Sequence, residues 1–303
     1  MKYWYERINV EPSSCNTVKE FLDEKNFNWE ITRLTAYRQL GSEYFPITKY
    51  AFSARSDDYT ILGIVKPKYK LLNNKDCFEI ADNFKKKYNN SKFISCGDIL
   101  NRKRSYLTMK LKSEIIENNM FDFYLTIVNS FDGRGAVNCT LTPIRRNDNS
   151  VFQLFNKDIK RTWTMSRLDI KKSFDEICTE IENYIVFMKN ICNYMNRRKI
   201  DFNHVMNPLY DIDWLKRKCV NRHLAESKGY IKDVFVKNKG STLYDLYFAI
   251  SLYYCNIRGI RQGKLGDDKR FNFAMIGYFY ELHDLSERML QNTLDEDIKN
   301  SVS

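Results

Sequence analysis

Two acidic residues, Asp211 and Asp213, flank a single isoleucine. On an extended segment such a pair points to one side, as carboxylates do when they share divalent cations in hydrolytic sites. The same residues suit a turn that ends in a helix cap, with Asp213 accepting from backbone N–H groups just beyond Trp214, and this reading is preferred. Cys219 and His223 stand four apart, one helical turn, where a thiol and an imidazole can meet. That spacing is equally ordinary for a part-buried cysteine beside a surface histidine. The other histidines, His204 and His283, are far away in sequence, and no H-E-x-x-H or C-x-x-C spacing occurs. Gly133-Arg134-Gly135 lacks the third glycine and the following helix of a phosphate loop. The pattern predicts no catalytic residue, no metal site, no cofactor, and a protein that is not an enzyme.

The other chemistry on offer is charge beside aromatic rings. The 303 residues carry 49 Lys and Arg against 38 Asp and Glu, a net charge of +11. The cations cluster at 85–87, 102–104, 145–146, 160–161, 197–199 and 216–218, with Tyr88, Tyr106, Trp163 and Trp214 close by. Cations interleaved with rings hold single-stranded nucleic acid, and Tyr, Trp and Arg also anchor protein interfaces. Nucleic acid is therefore a partner to weigh, and a protein partner is favoured over it. The start, Met1-Lys-Tyr-Trp, has no apolar signal region, and no stretch reaches the ~18 apolar residues of a membrane span. Eight scattered cysteines then read as reduced thiols in a cytoplasm.

Positioning these groups falls to two kinds of element. The first half alternates β-branched and aromatic residues between Asn, Asp, Gly and Ser, which predicts strands at 2–10, 29–39, 59–65, 92–96, 105–111, 121–129 and 137–144. Helices are expected at 17–25, after a capping region at Ser13-Ser14, and at 76–88. The run Phe123–Arg145 reads as strand, tight Asp132-Gly133 turn, strand, because glycine accepts positive φ without steric cost. The second half is helical. Ile170, Phe174, Ile177, Ile181, Ile185, Met188 and Cys192 recur at threes and fours, giving one stripe along a helix over 169–198. A turn over 203–213 precedes helices at 214–227, 241–255 and 272–294. The expected fold class is α+β: an N-terminal mixed or antiparallel sheet module over 1–146, a connector with the long helix over 147–202, and a helical module over 203–303. In the last module Tyr244, Tyr247, Tyr253 and Tyr254, with Arg258 and Arg261, lie on more helix faces than one buried stripe needs. They predict an interface, and with it a homo-oligomer.

Several of these segments resemble the DUF932 family of phage and plasmid proteins. Ile61–Tyr69 with Asn73 or Asn74 and Phe78 is similar to its opening segment. Asn129, Ser130, Asp132 and Gly133 match its N-S-H-D-G run, with Phe131 where the family has His. Thr142-Pro143-Ile144-Arg145 matches its T-P-I-R, and Gly240–Ala249 its C-terminal helix. The resemblance implies a scaffold built on Asn129, Ser130, Asp132, Gly133, Pro143 and Arg145. The chain also resembles phage inhibitors of the Gabija defence system, a nuclease–helicase complex. That resemblance implies a non-enzymatic anti-defence protein in the host cytoplasm, which binds a DNA-targeting nuclease complex and blocks DNA engagement. A nucleic-acid-binding accessory protein of phage replication or recombination is the alternative.

Overall fold

The computed structural model describes residues 4–100, 102–131, 137–153, 162–165, 174–209, 223–257, 264–276 and 285–294. The fold is α+β, and both of its sheets are antiparallel. The first sheet has three strands in chain order: β1 (Ile31–Leu40), β2 (Glu43–Arg55) and β3 (Ile61–Val65). The second is a five-stranded meander: β4 (Lys92–Ile99), β5 (Arg104–Ile116), β6 (Asn119–Ser130), β7 (Val137–Arg145) and β8 (Thr162–Met165).

The helices are α1 (Val18–Glu24), α2 (Asn74–Phe78), α3 (Ile80–Lys87), α4 (Phe174–Arg197), α5 (Phe202–Leu209), α6 (His223–Lys237), α7 (Leu243–Leu252), α8 (Lys264–Phe271) and α9 over 285–294. Short π-helical turns, Tyr253–Ile257 and Asn272–Ile276, extend α7 and α8.

Burial in β6 explains why this sheet is the centre. From Phe121 to Ser130 every residue is buried, so both faces of the strand are covered. Phe121, Phe123, Leu125 and Ile127 form one face, opposite Leu141 and Cys139 of β7. It packs under α2, α4 and α7, with Phe121 5.7 Å from the Phe248 ring. The other face is more polar. Thr108 and Thr126 share a hydroxyl contact at 3.0 Å, and Thr140 and Thr142 donate to the backbone carbonyls of Ile276 and Ala274. The π turn after α8 closes that face, because these hydroxyls supply the donors its carbonyls need. The stripe predicted on α4 is the buried one: Ile177, Ile181, Ile185, Met188 and Cys192 all face the core.

Several expected elements differ. The segment read as a strand at 2–10 holds a 3₁₀ helix, Trp4–Arg7, because the Trp4 indole is fully buried and donates to the Cys255 carbonyl at 3.1 Å. The cap of α1 is Thr17, paired with Glu20 in a capping box, rather than Ser13-Ser14. The helix read at 76–88 is two helices broken at Glu79. Part of the turn read at 203–213 is α5. The β6–β7 hairpin is present, in register from Phe121 opposite Arg145 to Val128 opposite Asn138. Its connection spans 131–136, wider than a tight two-residue turn, and Asp132 and Gly133 lie outside the described residues. The tight turn of this sheet is instead β5–β6, where Glu117 and Asn118 take φ of 48° and 61°. Asn193 and Asn196 of α4 both donate to the Glu117 carboxylate.

One apolar core runs from Trp4 to Leu290, continuous across the joints that the sequence places at 146 and 203. No disulfide joins the described cysteines, and among the described residues no helix is long and apolar enough to cross a membrane.

Candidate functional site

Strands β1 and β2 leave the body as a long two-stranded arm. They pair antiparallel from Ile31–Arg55 at the root to Leu40–Glu43 at the tip, where Gly41 turns the chain at φ 64°. The outer half packs against no other element. Tyr37 is 58% exposed, Leu40 57% and Tyr44 66%, with Phe45 and Tyr50 also open to solvent. Two cations lie over these rings, Arg38 above Phe45 and Lys49 above Tyr50, each 5.8 Å from the centroid. Large apolar groups left outside a core in one contiguous place mark a binding surface more often than single exposed residues do.

The arm is rigidly rooted. Trp29 packs edge-on against Phe27 and Phe131 at 5.6 and 5.5 Å, and Leu62 completes this second small cluster. Ser53 donates to the Phe131 carbonyl at 2.7 Å, and the Phe131 N–H donates to the Lys103 carbonyl at 3.1 Å. The Ile31 N–H donates to the Asn73 side chain at 2.9 Å. Next to it, Asn129 donates to the Leu72 carbonyl at 2.8 Å and to Asn74 at 3.3 Å. One amide atom of each asparagine, Oδ1 of Asn129 and Nδ2 of Asn74, has no partner although buried. Buried atoms left so cost about 1–3 kcal/mol each. Asparagine is therefore held here for the bonds it does make, which fasten the small sheet to the large one.

Beside this root opens a cleft of about 600 Å³. Three loops wall it, through Asn26, Phe27 and Trp29, through Arg55 and Thr60, and through Asp98 and Arg102, while Asp268 enters from α8. Each loop contains a non-glycine residue in the left-handed region: Asn26 at φ 51°, Tyr59 at 55°, Leu100 at 55° and Arg102 at 65°. Each such residue costs on the order of 1 kcal/mol, and such costs gather at functional sites.

Ion pairs fix the cleft's charges unevenly. Arg55 lies over Trp29 at 4.7 Å and grips Asp57 through Nε and Nη2 at 2.9 and 2.5 Å. The hydrogen bonds from Arg55 hold the Asp57 carboxyl down at about 2. The Thr60 backbone N–H lowers Asp58. Asp268 is nearly fully buried and accepts from Arg7 at 2.6 Å and from the Leu100 N–H at 3.2 Å. Asp98 accepts from Ser105 at 2.6 Å. Arg102, half exposed at the mouth, reaches Asp58 and Thr60 only at 3.4 Å.

With this geometry in place the comparisons can be weighed. Residues 61–146 match DUF932, a domain of unknown function. No curated protein and no solved structure matches the chain. The DUF932 match begins at β3 and ends after β7, so it takes in most of the large sheet and the joint residues Asn73, Asn74, Asn129 and Phe131. It supplies Asp98 and Arg102 to the cleft and stops short of the arm.

The remaining expected site residues divide into three groups. Pro143 and Arg145 sit in β7, where the Pro143 carbonyl accepts from the Phe152 N–H and Arg145 pairs with Asp148 while lying 4.0 Å over Phe248. Ser130 is buried at the end of β6, opposite Arg104. These, with Asn129, are scaffold positions. The second group is corrected: Tyr244, Tyr247, Tyr253 and Tyr254 are all buried in the chain's own core. Tyr247 donates to nothing outside it, since its hydroxyl accepts the Gln153 N–H at 2.7 Å in the interior. The long helix α4 and strand β7 cover faces of α7 that a single apolar stripe would have left open, so the tyrosines form no outward patch. The third group, Arg258, Arg261, Asp211, Asp213 and Cys219, lies outside the described residues, as do His283 and the clusters at 160–161 and 216–218. Of the described cation clusters, Arg146 is tied to Asp122 at 2.6 Å, Lys85 lies over Phe93 and Lys87 over Phe174. They brace the fold. His204 is exposed at the start of α5, and among the described residues no group of three or more His, Cys, Asp or Glu is placed to hold a metal.

The arm and the cleft are what sequence reasoning missed. The arm had a signal: Gly41-Ser42 between two β-rich runs is a two-residue hairpin turn. Pro46 hid it, because proline argues against a strand unless the strand is at an edge.

Proposed function

We propose that the chain is a phage-encoded, non-enzymatic anti-defence protein that binds a host DNA-targeting nuclease complex of the Gabija type and blocks its engagement with DNA. The reading rests on the family resemblance, and the observation that carries it furthest is the solvent-exposed aromatic and cationic arm of β1 and β2. Tyr and Arg are the residues on which protein interfaces concentrate their affinity. A net charge of +11 argues against imitation of DNA, which would need an acidic surface. Blockade therefore proceeds by covering the nuclease rather than by filling its DNA channel. The homo-oligomer proposed with it passes from the C-terminal tyrosines to the arm, since the tyrosines are occupied inside the core.

The test is affinity capture from cells carrying a nuclease–helicase defence complex, with native mass spectrometry of the product. The expected result is a stoichiometric protein complex that forms with the parent chain and fails with the double variant Leu40→Ser, Tyr44→Ser. Recovery of nucleic acid alone would replace this reading with the accessory-protein alternative.

A further inference from the structure

We propose that the cleft at the root of the arm is a binding site for a nucleoside monophosphate unit, independent of the function proposed above. Three chemistries meet within about 600 Å³, a volume suited to a ligand of that size. The floor is aromatic, with Phe27 beside a Trp29 ring whose indole N–H is buried without an acceptor. A planar base stacks on such a surface. One wall carries the Asp98 carboxylate, whose several lone-pair sites can accept ribose hydroxyls while it still accepts from Ser105. The mouth carries Arg102, and a guanidinium there suits a phosphate.

Electrostatics agrees with this division. Three of the four acids around the cleft are already engaged: Asp57 by Arg55, Asp58 by Arg55 and the Thr60 N–H, and Asp268 by Arg7 and the Leu100 N–H. When Arg102 turns to a phosphate, Asp58 gives up only contacts of 3.4 Å and keeps those partners. Arg102 is placed for the task by a backbone at φ 65°, a conformation an arginine adopts only where its surroundings impose it. Leu100, two residues earlier and also left-handed, donates its N–H to Asp268, so α8 sets the position of this loop.

Two sources share this chemistry, a free mononucleotide and the phosphorylated end of a single strand. Isothermal titration of the full chain with AMP, GMP, CMP and UMP, and with a short single strand with and without a 5′-phosphate, separates them. At least one mononucleotide should bind, or the phosphorylated strand should bind more tightly than its unphosphorylated form. Arg102→Asn, chosen because asparagine tolerates the left-handed backbone, should weaken binding about tenfold or more without lowering the melting temperature. Asp98→Asn should weaken nucleotides more than inorganic phosphate. Absence of binding to every probe at millimolar concentration overturns the proposal, and so does equal affinity in a folded Arg102→Asn variant.

Discussion

Strands β2 and β6 are of similar length and similarly rich in aromatic and β-branched residues, yet their fates are opposite. In β6 every position from Phe121 to Ser130 is buried, while in β2 the seven residues before Ala51 include only one that is not exposed. The sequence of a strand fixes its extended backbone, and the neighbours it meets decide whether its side chains become core. Around β6 both faces find partners, α4 and α7 on one side and the turn after α8 on the other. The outer half of the arm has none, so its rings remain in water.

The largest expected effect breaks this contrast at its buried end. Phe121→Ala, which empties a fully buried site between β6 and α7, should cost about 3–5 kcal/mol in denaturant unfolding. Tyr44→Ala in the arm should not approach that value; a comparable loss there would mean the arm is packed in solution. Phe131→Ala tests the joint between the two regions. It should cost about 3 kcal/mol, and limited proteolysis should cut within 31–55 before the large sheet opens.

Charge in the sheet gives a smaller and pH-dependent effect. Asp122 is raised by burial, but hydrogen bonds from Arg146, Lys110 and Ser113 outweigh this and bring its carboxyl below the ordinary 3.8. A lowered acid stabilises the fold fully above its unfolded value and loses that contribution as pH falls through its folded value. Asp122→Asn should therefore be about 1–3 kcal/mol less stable than the parent at neutral pH, with the difference closing below pH 3.8. A constant difference down to strong acid would remove the ionic account. Smallest of all, Leu40→Ser with Tyr44→Ser should change stability by no more than about 0.5 kcal/mol, while abolishing capture of the nuclease complex.

Much of the large sheet was legible because β4 to β7 alternate or run apolar between polar breaks, and α4 repeats at threes and fours. The edge of the fold was harder to read. Trp4 belongs to no local pattern, since its partner is a carbonyl at Cys255. The tyrosines of α7 look like surplus until α4 and β7 are placed around them. The cleft has no contiguous signature at all. Its residues come from four stretches between Asn26 and Asp268, and left-handed backbone at Tyr59, Leu100 and Arg102 carries no glycine to announce it.

The threonine face of the large sheet has a consequence for how the chain is made. Thr140 and Thr142 wait for carbonyls at Ile276 and Ala274, and Tyr106 waits for Phe271, 4.4 Å away. A ribosome delivers the whole meander long before it delivers those residues. The nascent sheet must then stand with one face covered by nothing of its own, held open by contacts of high sequence separation that form last. Synthesis to about residue 250 should yield a chain that chaperones retain, and release should follow only when α8 and the turn after it have emerged.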